Sequence, residues 1–188
     1  MSSTFRNRLH QLRILLGYNS SIASQLRHIL LSPGSAPTLE ELSRRFQEYK
    51  ASSSYLTFCS PSSVLIIEND LTSAVSHLSE EFLAVTNHDV AMEGWDPDRW
   101  QNFVKTEMTP GLDSGGVKEM MGESIERKEC MCTLWREKGS RNASIEDLKT
   151  WLRMYPVRNE CTHFSCLMDP AASGGGLLWV EACDVDVE

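Results

Sequence analysis

The chain has 188 residues, a net charge of −8, 41% apolar and 23% charged residues, a globular composition that excludes a fibrous or wholly disordered protein. No apolar run reaches the roughly 18–20 residues of a membrane span, and the N-terminus lacks the cleavage site of a signal peptide. A cytoplasmic protein is therefore expected, with the sequons at Asn19 and Asn142 unused.

The charge is uneven. Residues 1–53 carry seven Lys/Arg against three acids, and the remaining 135 carry 11 against 23. Opposite-signed halves suit two surfaces that contact each other, or a basic module for nucleic acid joined to an acidic one.

Phe5, Leu9, Leu12 and Leu16 recur at helical spacing, and Gly17 stands where the helix would stop. A second helix carries Ile22, Leu26, Ile29 and Leu30, and Ser32-Pro33-Gly34-Ser35-Ala36-Pro37 breaks the chain. Thr38 and Glu41 form a capping box for a third helix. It turns Leu39, Leu42, Phe46 and Tyr49 inward and leaves Arg44, Arg45, Gln47 and Lys50 on its polar side. Tyr55–Phe58 and Val64–Ile67 are β-prone runs joined by Ser60-Pro61-Ser62-Ser63, a possible small hairpin. Three helices and a hairpin is the order of a winged helix, and Leu26 to Tyr49 resembles the winged-helix domains of the LOTUS type. A helical hairpin with an apolar tail docked on the C-terminal module explains the same pattern and is preferred.

Leu71, Val75, Leu78, Phe82 and Val85 repeat at four, three, four, three, which predicts an amphipathic helix. Asp96-Pro97 opens another, as N-cap and N1, presenting Trp100, Phe103, Val104 and Met108 until Thr109-Pro110-Gly111 breaks it. A short, weak helical stretch over 112–122 carries Leu112, Val117, Met120 and Met121. A longer helix follows from Glu123 through Cys132 and Trp135 to Lys138, with Gly139 suited to its C′ position. Ser144 starts a last helix with Leu148, Trp151, Leu152 and Tyr155 on its apolar side and Pro156 as its stop. Beyond about residue 157 no period survives. Gly174-Gly175-Gly176 and Asp184-Val185-Asp186-Val187-Glu188 read as a flexible acidic tail.

The run Leu134-Trp135-Arg136-Glu137-Lys138-Gly139-Ser140-Arg141-Asn142-Ala143-Ser144-Ile145-Glu146-Asp147-Leu148 resembles the junction between the fifth and sixth helices of the death domain superfamily. Asp98-Arg99-Trp100-Gln101-Asn102-Phe103-Val104 resembles that family's second helix. Two departures stand against it: Glu107 where the family has an apolar residue, and the interruption at Gly115-Gly116. The resemblance implies a mainly α fold. Residues 1–69 would form a basic N-terminal helical segment, residues 70–156 a six-helix death-domain-like bundle, and residues 157–188 a flexible tail. It also implies an adaptor in apoptosis- or innate-immune-type signal transduction. Such an adaptor associates with another death-domain protein or with itself through complementary charges. Arg99 and Lys105 would supply a basic patch, and Glu126, Glu129, Glu146 and Asp147 acidic ones.

The alternative is a nucleic-acid-binding regulator whose Arg44, Arg45 and Lys50 dock on phosphates, with affinity falling steeply with salt. Cys130-x-Cys132 and Cys161-x-His163-x-x-Cys166 approach a zinc spacing. Cys130 and Cys132, however, lie two apart on a helix, so they face different ways, and reduced thiols with no metal or cofactor are expected. No catalysis is expected either. The five histidines have no partner at a telling spacing. Asp113-Ser114-Gly115-Gly116 is similar to the nucleophile loop of chymotrypsin-like proteases, but no triad partners accompany it.

Overall fold

The computed structural model describes residues 3–34, 36–48, 52–71, 73–107, 114–139, 142–172 and 176–183. In chain order these form α1 (Ser3–Leu15), α2 (Ile22–Leu31), α3 (Leu39–Glu48), β1 (Ser54–Cys59), β2 (Val64–Asn69) and β3 (Ala74–Ser79). A 3-10 turn (Val90–Met92) precedes α4 (Pro97–Glu107), α5 (Ser114–Lys138), α6 (Ile145–Arg153), β4 (Phe164–Met168) and β5 (Leu177–Ala182).

The mainly α expectation is corrected by two antiparallel sheets, β1-β2-β3 and β4-β5. The six-helix bundle over 70–156 does not form, because among the described residues that stretch holds three α-helices and a strand. The predicted helix from Leu71 to Val85 is replaced by β3 and an extended segment. Thr72, Ser73, Ser76 and Ser79 favour non-helical backbone. Pairing decides the rest: β3 runs antiparallel to β2 from Val64↔Ser79 to Asn69↔Ala74, so the meander crosses the expected boundary at residue 70. The stretch after 157, expected to be a flexible tail, holds the β4–β5 ribbon. The Thr109-Pro110-Gly111 break, Leu112, Asp113 and the acidic residues 184–188 lie outside the described residues.

β2 is the centre of the molecule. Its apolar run Val64-Leu65-Ile66-Ile67 reads as a strand covered on both faces, and all of β2 after Val64 is buried. On one face Leu65 and Ile67 meet Leu39, Leu42 and Phe46, which α3 presents at three- and four-residue spacing, with Leu56 beside them. Ile22, Leu26 and Ile29 of α2 close this core, and the rings of Phe46 and Phe58 lie 5.6 Å apart. The predicted capping box starts α3: Thr38 N donates to Glu41 Oε2 at 2.9 Å and Glu41 N to Thr38 Oγ1 at 3.2 Å.

On the other face, Ile66 and Glu68 look toward the segment after β3 and toward α5. The buried Glu68 accepts the Val90 N–H at 3.1 Å, and His77 Nε2 stands 3.3 Å from the same oxygen. Tyr55, opposite Glu68 on β1, donates its hydroxyl to Asp89 at 2.9 Å. Burial first, and then the Asp89 carboxylate, push the Tyr55 phenol up from its ordinary range.

α5 is one continuous helix of 25 residues, not the two expected. Its glycines are carried by strong helix formers such as Lys118, Glu119, Met120 and Met121.

Candidate functional site

The stretch Glu80–Asp89 after β3 has no regular structure, yet Ser124 of α5, fully buried, pins it in place. Asn87 N donates to Ser124 Oγ at 2.8 Å, and the Thr86 hydroxyl donates to the Ser124 carbonyl at 2.9 Å. His88, 3% exposed, has Nδ1 2.9 Å from Ser124 Oγ and Nε2 3.3 Å from Glu93 Oε1. With Nε2–H donating to the carboxylate, Nδ1 accepts the serine hydroxyl, and both ring nitrogens are satisfied. Glu93 is also held by the Lys128 ammonium. Partial burial works against ionisation of Glu93, but Lys128 and then His88 outweigh it and hold the carboxyl below its usual range.

Serine, histidine and glutamate in series have the composition of a hydrolytic triad. The buried Ser124 hydroxyl, already accepting a backbone N–H, acts here as a clamp. Sequence reading missed it, since nothing in the order of residues links His88 to a serine 36 positions on.

The residues expected to bind partners scatter over the surface. Arg99 is exposed, its guanidinium 4.4 Å from the Trp95 ring, and the side chain of Lys105 lies outside the described residues. Glu126 and Glu129 are exposed on α5. Glu146 accepts from Lys149 at 2.7 Å. Asp147 is engaged in the fold: it accepts from Ser144 N and Oγ, in a capping box that starts α6, and from Lys138 Nζ at 2.9 Å. Of the nucleic-acid candidates, Arg44 is exposed and Arg45 half-buried on α3, which also carries Glu40, Glu41 and Glu48, while Lys50 lies outside the described residues.

The Ser144 hydroxyl and N–H, then Lys138, lower the Asp147 carboxyl from 3.8 to about 2. A depressed carboxylate stabilises the folded chain above its ordinary value, and that stabilisation is lost as pH falls toward 2. Amide exchange at the start of α6 should therefore accelerate between pH 4 and pH 2 relative to the rest of the helix. Asp147→Asn should abolish that acceleration, and an unchanged profile in the variant would contradict the assignment.

Among the described residues two groups of apolar side chains are exposed. On α1 His10 is buried, Leu9 and Ile14 are partly buried, and Arg8, Gln11 and Arg13 are exposed. His10 accepts from Asn19 Nδ2 at 3.2 Å through Nδ1, while its Nε2 has no hydrogen-bond partner among the described residues. The leucines face out: Leu12, Leu16 and Leu15 (83% exposed), joined by Tyr18 and by Leu30 (80%) and Leu31 of α2. Residues 1–39 contain four arginines and no acid, and Arg8, Arg13 and Arg27 are exposed.

The second surface is the β4–β5 ribbon. Register places Leu167 opposite Trp179 and Ser165 opposite Glu181. This face is tied to α6, with the Arg153 guanidinium 5.2 Å from the Trp179 ring and Glu181 accepting from Arg153 and from Arg158 at 3.1 Å. Gly176 closes the turn at φ +71°, where a Cβ would strike the Asp169 carbonyl. Phe164 (64% exposed), Met168 (70%), Leu177, Leu178 and Val180 are left outward. Both strands of this ribbon are edges. Residues 157–188 carry six acids against the single Arg158.

All six cysteines are free, and among the described residues no three of His, Cys, Asp or Glu are grouped to hold a metal ion. Among those residues no helix is long and apolar enough to cross a membrane. No protein-family model, curated protein or solved structure matches the chain.

Proposed function

We propose that this protein is a non-catalytic interaction module, an adaptor that assembles by self-association. The basic apolar surface of α1 and α2 in one copy docks on the exposed apolar face of the β4–β5 ribbon in the next. The observation that carries this reading is the group of exposed leucines at the end of α1 and on α2, Leu12, Leu15, Leu16, Leu30 and Leu31, set beside the exposed Arg8, Arg13 and Arg27. Leaving that apolar surface in water forgoes the stabilisation that its burial would give. Such a surface suits a partner outside its own copy.

Charge selects the partner. Four arginines without an acid at one end of the chain meet a net of five acids at the other, so like copies attract by opposite ends and repel by like ends. The two surfaces differ, so the contact is heterologous and repeats from copy to copy. This keeps the charge-complementary association of the adaptor reading and moves it off the six-helix bundle, which the chain does not form.

Sedimentation equilibrium of the full chain tests this. The weight-average mass should rise with concentration at about 50 mM salt and fall toward the 21.2 kDa monomer at about 500 mM, as screening shortens the reach of the charges. Arg8→Glu with Arg13→Glu should give the monomer at both. A monomer at low salt in the unmodified chain, or assembly indifferent to the charge reversal, would contradict the proposal.

A further inference from the structure

A cleft of about 880 Å³ opens between the two sheets, a volume in the range of small-molecule sites. It is walled by the end of the β1–β2 hairpin, the segment Phe82–Asn87, α5, the end of α6, and the turn into β4. Phe82, Val85, Met131, Leu152 and Leu167 make its apolar lining, and Arg127 and Lys128 are its cations.

The walls are preformed. Ser124 pins Thr86, Asn87 and His88 to α5, and Phe82 stacks on Trp135 with ring centres 4.8 Å apart. The two cations differ. Lys128 is bound to Glu93, which His88 also holds. Arg127, half-buried, has no ion-pair or hydrogen-bond partner among the described residues.

We propose that this cleft is a binding site for a small amphipathic carboxylate. The apolar chain or ring lies along Val85, Met131 and Leu152, and the carboxylate pairs with the guanidinium of Arg127. A guanidinium matches a carboxylate with two parallel hydrogen bonds. The headgroup is a monoanion because the site offers one uncommitted positive charge. A phosphate monoester, with close to two negative charges near neutral pH, would need Lys128 to leave Glu93. The site is separate from the surfaces of α1, α2 and the β4–β5 ribbon's outer face, so it stands whether or not the chain self-associates.

Calorimetry of the full chain with decanoate, decyl phosphate and decyltrimethylammonium tests the assignment, each ligand kept below its micelle concentration. Decanoate should bind saturably at one site per chain, and Arg127→Met should weaken it at least tenfold. Cys59 and Cys161 line the cleft and are exposed, so decanoate should also slow their alkylation by iodoacetamide in the unmodified protein. That readout does not depend on any variant folding. The cation should not bind, and the phosphate should bind more weakly than decanoate. Decyl phosphate binding as tightly would overturn the carboxylate assignment. Absence of saturable decanoate binding, equal binding by Arg127→Met, or unprotected thiols would overturn the site.

Discussion

Phe46→Ala should destabilise the protein by about 3–5 kcal/mol, the cost of emptying the place of a large aromatic ring in a close-packed core. Phe46 is fully buried, packs on Leu65 and Ile67 of the central strand, and meets the Phe58 ring. Nothing nearby can collapse freely into the space, because α3 is fixed at its start by the Thr38–Glu41 box and β2 is held by strands on both sides. Single domains have only about 5–15 kcal/mol to lose, so the change approaches the whole of their stability. Urea unfolding followed by circular dichroism reads it as a large fall in the midpoint with little change in slope. Phe46→Leu should recover much of the loss. A fall under about 1 kcal/mol for Phe46→Ala would mean that α3 does not pack on the sheet as described.

Ser124→Ala is the second large effect, and its cause is polar. The methyl group fits the space, but the Asn87 N–H loses its acceptor and His88 Nδ1 loses the hydroxyl. Asn87 is itself exposed and Thr86 Oγ1 lies 3.1 Å from His88 Nδ1, so a loss of about 1–3 kcal/mol is expected. Hydrogen exchange should localise the damage, with the Asn87 and Val90 amides losing protection well before those of β2. Glu126→Ala, on the exposed side of the same helix, should stay within about 0.5 kcal/mol. Equal effects from the two substitutions would show that the clamp contributes no more than helix propensity.

Local signals were legible and long-range ones were not. The capping boxes at Thr38 and Ser144, the Asp96 cap of α4 and the Gly139 stop at φ +77° can be read within four residues of sequence, and the α3 core stripe from Leu39 to Phe46 within one helix. Leu71 to Val85 misled because its apolar residues satisfy a helical period. In β3, though, Val75 and Leu78 are half exposed, and the strand is held by its pairing with β2. That pairing is tertiary, and no window on the segment alone contains it.

The β4–β5 ribbon carries one signal in the sequence, the apolar run Leu177-Leu178-Trp179-Val180 directly after the glycines. Phe164-Ser165-Cys166-Leu167-Met168 does not alternate cleanly, so its strand character was hidden. The death-domain resemblance rested on the α5–α6 junction. Those two elements are present, while the strands on either side of α4, α5 and α6 replace the bundle they were expected to join.

Candidate sites were harder to read than elements. The exposed leucines of α1, the Ser124 clamp and the uncommitted Arg127 depend on which side of a helix the rest of the chain covers. A stripe of leucines is the same in sequence whether it faces the core or solvent. Asp147 shows the reverse case, since a carboxylate chosen for partner binding is occupied by its own helix cap and Lys138.

The most direct test of head-to-tail assembly mixes two variants. Leu15→Glu with Leu16→Glu removes the helical surface, and Phe164→Lys with Val180→Lys removes the ribbon surface, all four at exposed positions that leave the cores untouched. Each variant retains one working half of the contact. The account predicts that each sediments as a monomer alone and that an equimolar mixture forms a dimer which grows no further. A mixture that remains monomeric, or either variant assembling by itself, would contradict it.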